Sequence, residues 1–391
     1  MAAIHGHCDP AFSRVRELLQ DRVRDGDELG ASLCVTLGGR TVIDLWGGHA
    51  DVARTRPWEE DTITAIWSSS KVVTNLAALL LVSRGLLDPD APVSTYWPEF
   101  AANGKEQVLV SHILSHSSGV SAWEAPITLE EIYDIPTSTA KLAQQPSWWT
   151  PGEHSGYHLA NQAHLVGELV RRVTGQPLHQ FIADELAGPL GADVQLGVPE
   201  RDWPRTAEMI PPPPLALPDL GPASVAARSF AGTPFPPEAP MTPAFRHSRI
   251  GHAGFANARA LARIGSIVAL GGTVDGRQYL TPATVARMLQ EHVSGPDLVL
   301  FARLRFGLGV GLPVPQTLPW LPEGRIGFWC GWGGSSVVMD TGRRMSIGYV
   351  MNRMGEGTLG NDRIASYVQA IYEAVNALPS GSVPAVERGE E

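Results

Sequence analysis

Cysteine is scarce in this chain: Cys8, Cys34 and Cys330 are odd in number and far apart. That usage excludes a disulfide framework and fits a reducing compartment. No uncharged apolar run reaches 18 residues, so no membrane-spanning helix is expected. The opening MAAIHGHCDPAFSRVRELL has no basic segment followed by an apolar one, so a secretory leader is not expected either, and the compartment read from the sequence is the cytoplasm. Positive charge is also in short supply, with 30 Lys and Arg against 40 Asp and Glu and a formal net charge of −10. Without a Lys/Arg-rich run to offset it, nucleic acid is excluded as a partner.

Several signatures of chemistry are missing as well. The absence of G-x-S-x-G disfavours an α/β-hydrolase fold, and the absence of G-x-x-x-x-G-K-[ST] excludes a phosphate loop. His112 and His116 stand at i, i+4, but the Glu of H-E-x-x-H is absent, so the pair reads as structural. His5, His7 and Cys8 cluster at a terminus expected to be mobile. No metal and no cofactor are expected.

What is present describes an ordinary globular chain, with 43% hydrophobic and 18% charged residues. Its 391 residues suit one large or two associated domains. Phe12, Val15, Leu18, Leu19 and Val23 recur at helical spacing. Two β-rich runs then flank Gly38-Gly39 as a hairpin. An apolar helix follows Ser68 and ends near Gly85, and a second amphipathic helix carries Leu165, Val166, Leu169, Val170 and Val173. Residues 204–243 are dense in proline and read as an irregular surface segment, a candidate flap over a pocket. Late strands SSVVMD and MSIGYVMN form a hairpin through TGRR, and a last helix opens on Asn361 as N-cap. Strands near both ends predict an α+β architecture in which residues 1–85 and 286–391 build an antiparallel sheet flanked by helices. Residues 86–285 are assigned to a mostly helical unit.

The stretch IWSSSKVVTNLAALLLVSRG, residues 66–85, carries the chemistry. A serine hydroxyl is a weak nucleophile until a base stands beside it. Lys71 lies three residues after Ser68, on the same helix face. It can act as that base only if burial lowers its pKa, and the apolar residues that follow supply burial. Ser69 and Ser70 are rival nucleophiles, yet only Ser68 has Lys at i+3. S-x-x-K alone is a weak signal, because an N-cap serine before an exposed lysine has the same spelling.

Order along the chain adds specificity. IWSSSK, VLVSHILSHSSGV, PGEHSGYHLANQAHLVGELVRRVTG and GFWCGWGGSSVVMD follow one another in the order of the serine β-lactamase and penicillin-binding-protein-like hydrolases. Over residues 30–355 the chain resembles their esterase branch, the family VIII carboxylesterases, which share the class C β-lactamase fold. The resemblance implies Ser68 as acylated nucleophile, Lys71 as its proton acceptor and Tyr157 as a partner that exchanges a proton with Lys71. It implies an oxyanion hole from the backbone N–H groups of Ser68 and Trp332, and substrate contacts at Trp329 and Gly331. Gly331 is expected to let substrate approach the strand edge. For Tyr157 to serve as a base, Lys71 would have to favour its phenolate.

Two departures bear on substrate. Leu159 stands where many β-lactamases of this fold have the Asn of Tyr-x-Asn, and Trp329 stands where they have the Lys of Lys-Thr-Gly. Both remove groups that would hold a β-lactam, and both point to small neutral esters, short-chain or aryl. His252 is a weaker candidate for substrate contact. Trp123, Trp148 and Trp149 are read as core residues that could also line a pocket. The same site could serve a biosynthetic acyltransferase, a peptide-cyclising thioesterase, an amidase or a weak β-lactamase, and a non-catalytic binding protein is the reading from another class. Oligomeric state is not legible.

Overall fold

The computed structural model describes residues 3–214 and 220–379. Residues 215–219 of the proline-dense segment, and 380–391 of the expected frayed tail, lie outside the described residues.

An antiparallel six-stranded sheet is the backbone of the molecule. Its strands, numbered along the chain, are β1 (Ile4–Cys8), β2 (Gly30–Leu37), β3 (Arg40–Gly48), β4 (Ile326–Cys330), β5 (Ser336–Asp340) and β6 (Met345–Met351). They lie in the order β1-β3-β2-β6-β5-β4, so strands from the two ends of the chain meet where β2 pairs with β6. This is the α+β architecture expected from the sequence. The hairpins at Gly38-Gly39 and at Thr341–Arg344 both form.

β2 and β6 are buried along their whole length, which requires helices on both faces. On one face lies α4 (Ala258–Ala269), packed against β2, β5 and β6. Gly348 permits this close approach, since a Cβ there would fall 2.3 Å from the Ala258 carbonyl. On the other face lie α1 (Ser13–Asp25) and α5 (Asp362–Ala377). Tyr349 of β6 packs on Tyr367 of α5 with ring centroids 5.4 Å apart. Arg363 of α5 reaches back to Glu28 at 2.8 Å, in a pair buried on both sides. Asn361 caps α5 as expected, accepting from the Arg363 and Ile364 N–H groups. α4 comes from the segment assigned above to the helical unit, yet it packs on the sheet.

The central helix is α2 (Ser70–Ser83), every residue of which from Ser70 to Leu81 is buried. It packs against α3 (Gln162–Thr174) and against the helix Leu178–Ile182. A helix apolar on all sides has no solvent face, and this burial removes water from Lys71 at its first turn.

Two expectations change. Ile4–Cys8, read as a mobile terminus, is an edge strand in register with β3, with Ile4 opposite Gly47 and Cys8 opposite Ile43. Its sequence, IHGHC, has three exposed residues in a row and so no strand alternation to read. The proline-dense segment is also less irregular than expected, since Ser224 caps a short helix, Val225–Ala231, between the prolines. Ile210 pairs with the sheet through its N–H to the Asn352 carbonyl at 2.7 Å.

Candidate active site

Ser68 lies in a 3-10 turn, Trp67–Ser69, between the short strand Thr64–Ala65 and α2. Trp67 adopts a left-handed backbone, φ +46°, rare for a bulky residue and tolerated only where surrounding contacts hold it. Those contacts are visible. Ser335 Oγ donates to the Ile66 carbonyl at 2.7 Å, and the Ser70 hydroxyl donates to the Trp67 carbonyl. Ser69 Oγ lies 3.1 Å from Ser335 Oγ. Both rival serines are thus engaged elsewhere, and only Ser68 meets the lysine.

Lys71 Nζ is 3.0 Å from Ser68 Oγ and donates to the Leu159 carbonyl at 2.8 Å. It also lies 4.7 Å from the centre of the Tyr157 ring. Among the described residues it has no carboxylate partner, and burial pushes its pKa down to about 7. A pKa near 7 leaves a sizeable fraction of Lys71 as free amine at neutral pH, able to take a proton from the hydroxyl beside it.

Tyr157 sits on the loop before α3, is 2% exposed, and accepts from Trp329 Nε1 at 2.8 Å. Burial raises its pKa well above that of a free phenol, and hydrogen bonds from Ser68 and Trp329 offset only part of the rise. Lys71 thus does not hold Tyr157 as phenolate. Desolvation shifts both groups towards their neutral forms because it penalises whichever form is charged.

The loop that carries Tyr157 is pinned by residues that pattern reasoning did not single out. Asp297 Oδ1 accepts from the Tyr157 N–H at 3.2 Å, and Leu298 N–H donates to the Ser155 carbonyl at 2.9 Å. A lone Asp in SGPDLVLF offers no sequence signal of that contact. His116 packs on the Tyr157 ring with centroids 4.7 Å apart, and its Nδ1 accepts from the His158 N–H at 3.1 Å. His158 donates from Nδ1 to the Gly156 carbonyl at 3.0 Å and accepts from Ser118 Oγ at 2.7 Å. Burial pushes the His158 pKa down to about 3, so the ring is neutral. His112 turns away from His116, its Nδ1 accepting from the Leu109 N–H at the start of its short helix.

Trp329 and Gly331, implied as substrate contacts, both make close contacts within the protein. The Trp329 indole is 2% exposed and donates its N–H to the Tyr157 hydroxyl at 2.8 Å. A Cβ on Gly331 would fall 2.2 Å from Ser335 Oγ and 2.3 Å from the Ile66 carbonyl. The glycine thus lets the end of β4 close against the backbone that presents Ser68. Gly331→Ala should lower stability by about 1–3 kcal/mol through overpacking. The same change should displace Ser68, so a fall in Tm and in activity together is the expected readout.

The backbone N–H groups of Ser68 and Trp332 accompany these side chains, and among the described residues neither meets an acceptor. His252 is 7% exposed and stands edge-on to the Trp67 ring, with centroids 5.5 Å apart. Trp123 is fully buried and donates to the Ser138 carbonyl at 3.0 Å, while Trp148 donates to Glu124 and Trp149 to the His154 carbonyl. Among the described residues no group of three His, Cys, Asp or Glu side chains is arranged to hold a metal, and no helix is long and apolar enough to cross a membrane.

A sheet built from both chain ends, with a Ser, Lys and Tyr gathered between its edge strand and a buried helix, is the architecture of the serine β-lactamase and penicillin-binding-protein-like enzymes. The chain belongs to the Beta-lactamase family, whose model matches residues 15–370, and it is a serine hydrolase. Among curated proteins it is 33% identical over 368 residues to the Esterase/beta-lactamase LipL of Mycobacterium tuberculosis, a match covering 90% of this chain and 83% of that protein. Among solved structures it is similar to a family VIII carboxylesterase, at 33% identity and a TM-score of 0.89 over 95% of this chain and 100% of that one. A penicillin-binding protein homolog from Caulobacter crescentus is as similar, at 34% identity and a TM-score of 0.88 with the same coverage.

Proposed function

We propose that the protein is a serine carboxylesterase that hydrolyses small neutral esters through an acyl-enzyme on Ser68. The observation that carries this reading is the buried Lys71 amine, without a carboxylate partner among the described residues, 3.0 Å from Ser68 Oγ. In the first step Lys71 Nζ takes the hydroxyl proton as Ser68 Oγ attacks the ester carbonyl. The oxyanion that forms is held between the N–H groups of Ser68 and Trp332. Donors in that position are typically worth about 3 kcal/mol each in the barrier. Tyr157 gives its phenolic proton to the departing alkoxide and regains one from the Lys71 ammonium. Water then attacks the acyl carbonyl, gives its proton to Lys71, and the carboxylic acid leaves as Ser68 is reprotonated.

Trp329 supports the ester reading over the β-lactam one. The position that carries a lysine in β-lactamases of this fold holds a neutral indole here, and that indole is turned to Tyr157. Because the Trp329 N–H occupies one side of the phenol oxygen, the phenolic hydrogen is left for Ser68 or the leaving group. Trp329→Phe should lower kcat by about 10–100-fold, the scale of one lost proton-transfer alignment, with little change in KM. A change confined to KM would show instead that Trp329 contacts substrate.

The test of the reading is intact-protein mass after brief exposure to p-nitrophenyl butyrate, with nitrophenolate release followed in parallel. A butyryl adduct on wild type, lost together with turnover in Ser68→Ala, is the expected result. Full turnover in Ser68→Ala would overturn it. Added 1-propanol separates hydrolysis from acyl transfer, since propyl butyrate in place of butyrate would make the enzyme a transferase.

A further inference from the structure

Beside Ser68 stands a row of aromatic rings that the acyl-transfer chemistry does not use. Trp332 meets Trp67 at 5.2 Å between centroids, Trp67 meets His252 at 5.5 Å, His252 meets Phe235 at 5.0 Å, and Phe235 meets Tyr133 at 6.2 Å. Trp332 at one end and Phe235 and Tyr133 at the other are half-buried, while Trp67 and His252 between them are buried. Its polar atoms are few. The indole nitrogens of Trp67 and Trp332 are sealed from solvent without partners among the described residues. His252 is 7% exposed, and its ring nitrogens make no hydrogen bond among the described residues and, unlike those two indole nitrogens, are not sealed from solvent. His158, by contrast, engages both of its nitrogens. Burial first, and then the nearby Lys71, hold the His252 imidazole neutral. A neutral imidazole offers one N–H donor and one acceptor but no charge for a carboxylate.

Building on the Ser68 esterase reading, we propose that this row is the subsite for a planar aromatic ring of the ester, and that His252 selects rings bearing an uncharged hydroxyl group. Flat rings pack against Trp and Phe faces in offset or edge-on geometries. A polar group that a bound ring would cover without pairing penalises that ring, so the ring without a hydroxyl is the one rejected. His252 is a specificity residue in this scheme, since it neither attacks nor transfers the reacting proton.

The experiment compares kcat and KM for methyl benzoate with methyl 2-, 3- and 4-hydroxybenzoate, and for phenyl acetate with the three hydroxyphenyl acetates. The two series distinguish a ring on the acyl side from one on the alcohol side. In wild type at least one hydroxylated isomer should be preferred by about tenfold or more, mainly through KM. The preference should fall to near unity in His252→Phe and return in part in His252→Gln. Equal rates for hydroxylated and plain rings in wild type, or a preference unchanged in His252→Phe, would overturn the inference. Turnover of p-nitrophenyl butyrate separates the two levels of failure. If that turnover is absent or independent of Ser68, the esterase reading falls. If it is present without ring selectivity, only the subsite falls. Should His252→Phe not fold, binding of the same methyl esters to Ser68→Ala protein, read by tryptophan fluorescence, must show the hydroxylated ring held more tightly. Equal binding overturns the subsite.

Discussion

Ser68→Ala should lower kcat by about 10⁶-fold while leaving the fold intact. Residues of a catalytic unit act together, and loss of a serine nucleophile elsewhere has cost about that much. The residual rate should come from the oxyanion donors and from binding alone. Ser68 is buried but small, and the hydrogen bonds that hold its turn come from Ser335 and Ser70. Tm should therefore stay close to wild type. A large fall in Tm would mean that the lost activity reports unfolding, and the butyryl adduct must vanish in a folded protein for the assignment to stand.

Lys71→Met should be almost as damaging, at about 10⁴-fold in kcat, because it removes the base but keeps the volume. Two pH experiments give this prediction its sign. In wild type the reactive form carries neutral Lys71, so kcat/KM should be lost as pH falls through about 7 and should level off above it. Tyr157 titrates well above the ordinary phenol value and adds no second limb between pH 6 and 9 on this reading. Stability follows the same linkage. The Lys71 pKa is lowered from 10.5 to about 7 on folding, so the unfolded chain binds more protons between those values and wild-type stability rises with pH across that window. Lys71→Met lacks this dependence. Its Tm should exceed that of wild type most below about pH 7, with the gap closing towards pH 10. A constant gap would show that Lys71 is not desolvated in the folded protein.

Much of the site was legible because its spacing is local. Ser68 and Lys71 share one helix face, and the apolar run after them announces burial. Tyr157 was legible only through the order of motifs, since it lies 86 residues from Lys71 and nothing around it forces the two together. Trp329 and Gly331 were found as positions, but their contacts within the protein, to Tyr157 and against the Ile66 backbone, were not legible. A strand sequence tells which residues alternate, not what lies behind them. The edge strand Ile4–Cys8 was missed because an exposed strand needs no apolar alternation, only a partner with unpaired backbone groups.

The sequence by itself determined the longer apolar and amphipathic helices, the hairpins, the place of Ser68 and Lys71, and the absence of charge or signature for phosphate, nucleic acid or zinc chemistry. These are short-range consequences of periodicity, turn residues and composition. Only the tertiary structure decided the protonation of the site and the uses of its neighbours. Lys71 is pushed towards its neutral form because burial excludes water from it, and Trp329 serves Tyr157 because the end of one strand meets a loop 172 residues away. Desolvation and long-range hydrogen bonds depend on which distant segments close around a group, and no local pattern encodes that closure.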